Sequence, residues 1–298
     1  MNIHIAFDIG QVGGGGNNFL DRLGNKLSEM GVLSGEQEAD CILYNSHHNP
    51  EKVKRLYQKY PEKCFIHRVD GPMRLYNHRR DTRDDIVIDQ NRIADGVVFQ
   101  SEWSKSEMLK MYRPMSSKRS VTIMNGCDLF DNPHKRSGKI KIIATSMSSN
   151  VNKGFLVYRH IDHNLDFEKY DFSFVGNSPF KFRNIKLLGA KNYEEVIGLL
   201  VESDMYITAS KNDPCSNSLV EALSVGLPCV ALNSGGHPEV LRKGGVLFSG
   251  DSDVKDAIQK VSGKLDYYRG KIKMASLDEV TGQYLEFCND CVKRKLQT

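Results

Sequence analysis

Residues 211–228 read KNDPCSNSLVEALSVGLP, and this run decides the fold. Ser216 stands at the N-cap position of a helix whose apolar residues are Leu219, Val220, Ala222 and Leu223. Gly226 and Pro228 stop that helix and launch a short apolar strand at 228–232, the kind that is buried in a sheet. The helix start also carries chemistry. Asp213 and Pro214 precede it, while Ser216, Asn217 and Ser218 offer amide N–H groups and hydroxyls to an anion at the positive end of the helix. Glu221, on the second turn, can accept hydrogen bonds from a vicinal diol such as ribose.

Working outward, further apolar strands read at 139–145, 171–176, 185–188, 204–208 and 245–248, with helices near 153–162, 192–202 and 253–263. Strand and helix in alternation is the signature of parallel α/β layers. The first half repeats it. A strand at 2–9 and the glycine run Gly13–Gly16 lead into a helix with Phe19, Leu20, Leu23, Leu27 and Met30 on one side. Strands then read at 40–44, 63–67, 96–100 and 120–124, with helices around 50–59, 84–94 and 102–112. Residues 131–138 have linker composition. The expected organisation is an N-terminal Rossmann-like domain at 1–133 and a C-terminal one at 134–270. A polar helical segment at 271–298 would pack back on the first. Open parallel sheets bind ligands beyond the carboxyl ends of their strands, so two such domains would meet a ligand across a cleft.

Composition narrows the class. With 40% hydrophobic and 26% charged residues the chain is globular rather than disordered or collagen-like. The longest apolar runs, 228–232 and 245–248, fall far below the roughly 20 residues that span a bilayer. The first ten residues lack a signal-peptide pattern, so a cytoplasmic protein is expected, with peripheral membrane contact left open. A net charge of +4 neither demands nor excludes a polyanionic partner, which makes nucleic acid an unfavoured one. Seven cysteines, an odd number in apolar contexts, read as reduced core residues; the CxxC at Cys288 and Cys291 lacks the second pair of a zinc ribbon.

Other motifs fall on strand-to-helix loops. The glycine run does not spell GxGxxG and no GxxxxGK[ST] occurs, so Gly14 and Gly15 are read as backbone contacts to a phosphate or sugar, or as a flexible turn. His67, Arg68 and Asp70 are expected to follow a strand and reach a ligand, with an Arg68–Asp70 salt link as the alternative. Arg74, Arg79, Arg80 and Arg83 would suit a phosphorylated acceptor, but Asp81, Asp84 and Asp85 largely offset them and a solvated loop reads as well. The loop 234–239, SGGHPE, would admit the ligand over its glycines, with Glu239 as a nucleotide contact. Asn125 and Gly126 read as a turn near the linker or as a ligand contact. Asp251–Ser252–Asp253 has helix-capping character, and no metal site is expected.

The run NDPCSNSLVEALSVGLPCVALNSGGHPEVL resembles glycosyltransferase family 4, the retaining enzymes of the GT-B fold. HRVDGP at 67–72, VVFQSEWS at 97–104 and NGCDLF at 125–130 extend the likeness, most narrowly to members carrying an HRVDGP segment. The resemblance implies sugar transfer from a nucleoside diphosphate sugar, of UDP or GDP type, to a hydroxyl acceptor on a glycan, lipid or small molecule. It implies neither metal nor further cofactor, with donor on the C-terminal domain and acceptor on the N-terminal one. The family's paired acids map onto Asp213, for the donor sugar, and Glu221, for the ribose; its diphosphate lysine maps onto Lys153, and Asp70 would orient a substrate. Its diphosphate arginine is replaced by Ser148, so Ser146, Ser148, Asn150 or Arg159 would share that contact. A fixed ammonium and a helix N-terminus suit a departing diphosphate, whose negative charge grows in the transition state. The missing arginine motivates a second reading, a catalytically silent sugar-nucleotide or glycan-binding protein. The mild basicity motivates a third, a glycosyltransferase acting on modified DNA.

Overall fold

A computed structural model of the chain describes residues 1–7, 15–112, 115, 118–130 and 138–297. Gly14 and most of the expected linker, 131–137, lie outside the described residues. The elements in chain order are β1 Ile3–Ile5, α1 Gly15–Glu29, β2 Cys41–Asn45, α2 Pro50–Lys59, β3 Cys64–Val69, α3 Met73–Tyr76, α4 Arg83–Asn91, β4 Gly96–Phe99, α5 Glu102–Met111 and β5 Arg119–Thr122. They continue as β6 Ile140–Ser146, α6 Phe155–Asn164, β7 Tyr170–Gly176, β8 Lys186–Leu187, α7 Tyr193–Val201, β9 Met205–Thr208, α8 Asn217–Ser224, β10 Cys229–Leu232, α9 His237–Leu241, β11 Gly245–Phe248, α10 Val254–Ser262, α11 Leu265–Arg269 and α12 Leu277–Lys295. The chain divides into two compact units, residues 1–126 with 275–298, and residues 127–274. Phe130 N–H donates to Ser224 O at 3.1 Å, which ties the start of the second unit to α8.

The first unit is a parallel sheet of five described strands in the order β1-β2-β3-β4-β5. Ile3 also makes a parallel bridge to Leu33, on the segment leaving α1, so the chain first steps to one side of β1 and then returns to start β2 on the other. The direction of winding therefore reverses between β1 and β2, the switch point where doubly wound sheets place their ligands. The reversal puts α1 on one face and α2, α4 and α5 on the other. Phe19, Leu20, Leu23 and Leu27 of α1 pack with Leu277, Val280, Tyr284 and Phe287 of α12 over Ile3, Leu43, Ile66 and Val98. Val53, Leu56, Val87 and Met108 cover Ile42, Phe65, Val97 and Phe99 on the opposite face. Cys288 and Cys291 sit in the same apolar layer as Cys41 and Cys64, all four free and buried.

The second unit is a parallel sheet of six strands ordered β11-β10-β9-β6-β7-β8. Numbered within the unit this is 6-5-4-1-2-3, the doubly wound Rossmann order with its switch point between β6 and β9. Phe172, Phe174, Ile142, Ile207 and Val230 make up the centre of its core, against Phe155, Tyr158, Ile161 and Ile258 from the helices. Capping accounts for the sharp start of α7, where Asn192 and Glu195 form a reciprocal box, and of α12, where Ser276 and Glu279 do the same.

Candidate functional site

In the second unit, three loops at the carboxyl ends of β6, β9 and β10 are knit together by close backbone approach. A short 3-10 turn, Val151–Lys153, follows β6, and Lys211 N–H donates to Asn152 O at 2.7 Å. Gly154, which ends that turn, has φ 80°, and a Cβ there would collide with the Ala209 carbonyl, so only glycine lets the loop press against the end of β9. Gly235, φ 62°, plays the same part for the loop after β10: a Cβ would strike the backbone of Asp213. Gly236 N–H donates to Asp213 O at 2.9 Å, and Asn212 N–H donates to Ser234 Oγ at 3.0 Å.

The result is that Lys153 Nζ stands 3.1 Å from Asp213 Oδ2, with side chains only 18% and 11% exposed. One comes from the loop after β6 and the other from the loop after β9, so the pair straddles the switch point. Beside it α8 begins with Ser216 at the N-cap. Ser216 does not cap the helix through its side chain as expected: its hydroxyl pairs with Ser218 Oγ at 3.1 Å, in reach of one another because both lie at the helix mouth. Asn217 and Ser218 are partly exposed in the first turn, and Glu221 is buried on the second. His237 locks the floor. Its Nδ1 lies 2.9 Å from Leu232 O, which can only accept, so Nδ1 carries the proton and Nε2 accepts from Ser210 Oγ at 3.1 Å. Burial holds this imidazole below its ordinary pKa.

The polar side chains of the loop after β6 hydrogen-bond within the loop. Ser146 Oγ donates to Ser148 O at 2.9 Å, Asn150 N–H donates to Ser148 Oγ at 3.2 Å, and Asn152 N–H donates to Asn150 Oδ1 at 2.9 Å. Those three residues thus shape the turn that presents Lys153. Arg159 lies on the exposed side of α6 with its guanidinium 5.0 Å over the Phe180 ring, the helix-surface role. Asp253 accepts from Ser249 N–H at 2.9 Å and Gly250 N–H at 3.0 Å, so its carboxylate closes the turn before α10 and does not cap the helix amides.

In the first unit, β3 runs on through Val69, so His67 and Arg68 lie within the strand and do not follow it; both are wholly buried. His67 stacks on Tyr44 at 4.6 Å between ring centres. Its Nε2 donates to Ser46 O at 3.0 Å and its Nδ1 accepts from Asn91 Nδ2 at 3.2 Å, so both nitrogens are occupied and burial pushes the pKa down to about 4. Arg68 donates from Nη1 to Asp70 Oδ1 and to Asn45 Oδ1, and from Nη2 to Asn125 Oδ1, each at 2.7 Å. Gln100 Nε2 also donates to Asp70, and Asn125 Nδ2 donates to Gln100 Oε1 at 3.2 Å. Asn45, Asp70, Gln100 and Asn125 lie at or just beyond the carboxyl ends of β2 to β5, and Arg68 joins them into one network from which Asp70 emerges 15% exposed. Asn125, expected as a turn residue or a ligand contact, is a member of that network. Arg74 and Arg83 are paired with Asp85 and Asp81, and Asp84 accepts from the Met73 and Arg74 amides, while His78, Arg79 and Arg80 lie exposed on the loop. Gly15 opens α1.

Residues 182–265, which include Asp213 and Glu221, match the family described as Glycosyl transferases group 1. A stretch of 89 residues, 30% of this chain, is 32% identical to the GPI3 subunit of phosphatidylinositol N-acetylglucosaminyltransferase from Saccharomyces cerevisiae, strain YJM789. The chain spans about a fifth of that relative's length, 20%. Over nearly the whole chain the fold resembles HepE of Anabaena, solved with UDP: TM-score 0.72 at 15% identity, covering 97% of this chain and 100% of that one. Sucrose-phosphate synthase of Thermosynechococcus elongatus gives 0.71 at 13% identity, covering 100% and 98%. A glycosyltransferase of Rickettsia africae gives 0.70 at 16%, covering 98% and 99%. The fold is GT-B, and the second unit carries the group 1 glycosyltransferase segment.

Proposed function

We propose that the chain transfers a sugar from a nucleoside diphosphate sugar to a hydroxyl acceptor, with retention of configuration, without a metal ion and without a resident cofactor. The observation that carries this reading is the Lys153–Asp213 pair at the switch point of the second unit, beside the mouth of α8. The Lys153 ammonium and the α8 amides receive the diphosphate and stabilise the charge that grows on it as it leaves. Asp213 accepts from the donor sugar's hydroxyls, and Glu221 from the ribose. The departing phosphate oxygen takes the acceptor proton on the same face, so no second carboxylate is called for. With Ser148 in place of an arginine, the diphosphate rests on one side-chain cation and the helix mouth.

Solved relatives of this fold were obtained with UDP and with UDP-glucose, which makes UDP the first base to try. Among the described residues no helix is long and apolar enough to cross a membrane, and a cytoplasmic setting belongs to the same proposal. The test is incubation with UDP- and GDP-sugars in excess EDTA, with products followed by mass spectrometry and the new anomeric centre read by proton NMR. Retained configuration in an EDTA-insensitive reaction supports the reading. Tight donor binding without transfer or hydrolysis over a broad acceptor panel would favour the silent binding protein, and inversion would remove the mechanism.

A further inference from the structure

Close to the Lys153–Asp213 pair, the buried side chains of Tyr158, Thr208, Ser210 and His237 are joined by hydrogen bonds whose direction is fixed from one end. Leu232 O can only accept, so His237 Nδ1 donates to it at 2.9 Å and Nε2 is left to accept. Ser210 Oγ, 3.1 Å from Nε2, therefore gives its proton to the imidazole and accepts from Thr208 Oγ1 at 3.3 Å. With its own proton engaged there, the Thr208 hydroxyl accepts from the Tyr158 hydroxyl, whose oxygen in turn accepts from Ala209 N–H at 3.1 Å. The series needs a neutral imidazole, the form that burial favours.

These residues come from all three loops of the site. Tyr158 is on α6, which begins just after Lys153 and Gly154; Thr208 ends β9 and Ser210 follows it; His237 opens α9. Only Lys211 and Asn212 separate Ser210 from Asp213, so a displacement of Ser210 is carried to the carboxylate. Lys153 stands instead on a turn braced by Ser148 and Asn150. The charges that act on His237 are those of Asp213 and Lys153, and Lys153 also acts on Tyr158. Buried polar groups that satisfy one another add little net stability over apolar side chains of the same shape, but they fix geometry. Valine, alanine and phenylalanine would fill the space of Thr208, Ser210 and Tyr158; what the hydroxyls add is orientation.

We propose that Tyr158, Thr208, Ser210 and His237 are positioning residues for the transfer: their one-way series of hydrogen bonds sets where Asp213 stands against the donor sugar, and so acts on the chemical step and not on nucleotide affinity. This rests on the reading of the chain as a glycosyltransferase whose donor is held by the second unit. Thr208→Val keeps the shape and removes the hydroxyl, while Thr208→Ser removes the methyl and keeps the hydroxyl, so the two separate hydrogen bonding from packing. The measurements are turnover of UDP- and GDP-sugars, UDP affinity by calorimetry, and heteronuclear NMR of the histidine-labelled full chain, with His237 assigned by its loss in His237→Gln. Thr208→Val should lower kcat by about tenfold or more with UDP affinity within about threefold of the parent, because small displacements of a positioned group fall on the chemical step. Ser210→Ala cuts the series at the next link and should repeat that loss. Thr208→Ser should stay within about threefold of the parent in both quantities. Ser224→Ala removes a buried hydroxyl that donates to Val220 O at 2.8 Å in the same unit, and should leave both unchanged. His237 should carry its proton on Nδ1. The proposal is overturned if that proton is on Nε2, if Thr208→Val and Ser210→Ala turn over like the parent, if Thr208→Ser or Ser224→Ala falls as far as Thr208→Val, or if UDP affinity falls together with kcat. A parent without turnover, but with the Nδ1 proton in place and an Asp213 carboxylate resonance that moves in Thr208→Val and not in Thr208→Ser, would instead remove the functional reading and leave the hold of the series on Asp213 standing.

Discussion

Arg68 Nη1 lies 2.7 Å from Asp70 Oδ1 across one residue of strand, and the arginine side chain is wholly buried. A guanidinium withdrawn from water needs acceptors, and here Asp70 and Asn45 accept from Nη1 and Asn125 from Nη2, while the Phe19 ring lies 4.9 Å from its carbon. Arg68→Met should leave Asp70 without its main counter-charge and destabilise the protein by about 3 kcal/mol. Asp70→Asn, which keeps hydrogen bonding and removes charge, should cost a similar amount by stranding Arg68. Urea unfolding of both variants checks this, and a cost below about 1 kcal/mol in each would mean the network is not what holds the end of the sheet.

Gly154→Ala places a Cβ against the Ala209 carbonyl at a residue whose φ is 80°. The expected loss is at least about 2 kcal/mol in chemical unfolding, together with weaker nucleotide binding because the loop bearing Lys153 must lift. Gly198→Ala is the matched comparison. That residue lies in α7 with nothing within 4 Å of the added carbon, so the change should stabilise by about 0.5–1 kcal/mol.

His67 sets a pH dependence whose sign follows from its burial. Its folded pKa is lowered to about 4 by desolvation, while the unfolded chain takes up the same proton near the ordinary 6.5. Between those values the unfolded state binds more protons, so the stabilising contribution is fully present above pH 6.5 and is lost as pH falls toward 4. The expected loss is on the order of 2–3 kcal/mol. Unfolding free energies at pH 7, 6, 5 and 4.5 measure it, and His67→Gln should flatten the slope in that window. Asp81, whose carboxyl the Arg83 guanidinium holds below the usual range, contributes losses only at more acid pH.

The alternation of strands and helices is legible because fully buried parallel strands such as Cys229–Leu232 are apolar throughout and sit between turn residues, here Pro228 before and Asn233 to Gly236 after. Asp213, Lys153 and Glu221 are singled out by the family resemblance and not by their spacing, and the loops that bear Lys153 and Asp213 meet because Gly154 and Gly235 allow it. His67 and Arg68 read as a strand terminus because polar residues usually end a buried strand. Here a hydrogen-bond network built from residues up to 57 positions away absorbs them, which no local pattern reveals. The reversal at β1 rests on a single bridge from Ile3 to Leu33, too brief to leave a strand signature.

In the proposed reaction Lys153 and Asp213 hold the donor, and calorimetric titration of UDP separates their roles because the two residues should shift affinity in opposite directions. Lys153→Met removes the cation that meets the diphosphate and should weaken UDP by about tenfold to a hundredfold. Asp213→Asn removes the carboxylate that competes with the diphosphate for Lys153 and should strengthen UDP several-fold, while turnover of a UDP-sugar falls by about a hundredfold or more. UDP affinity unchanged in both folded variants would mean that Lys153 and Asp213 do not hold the donor.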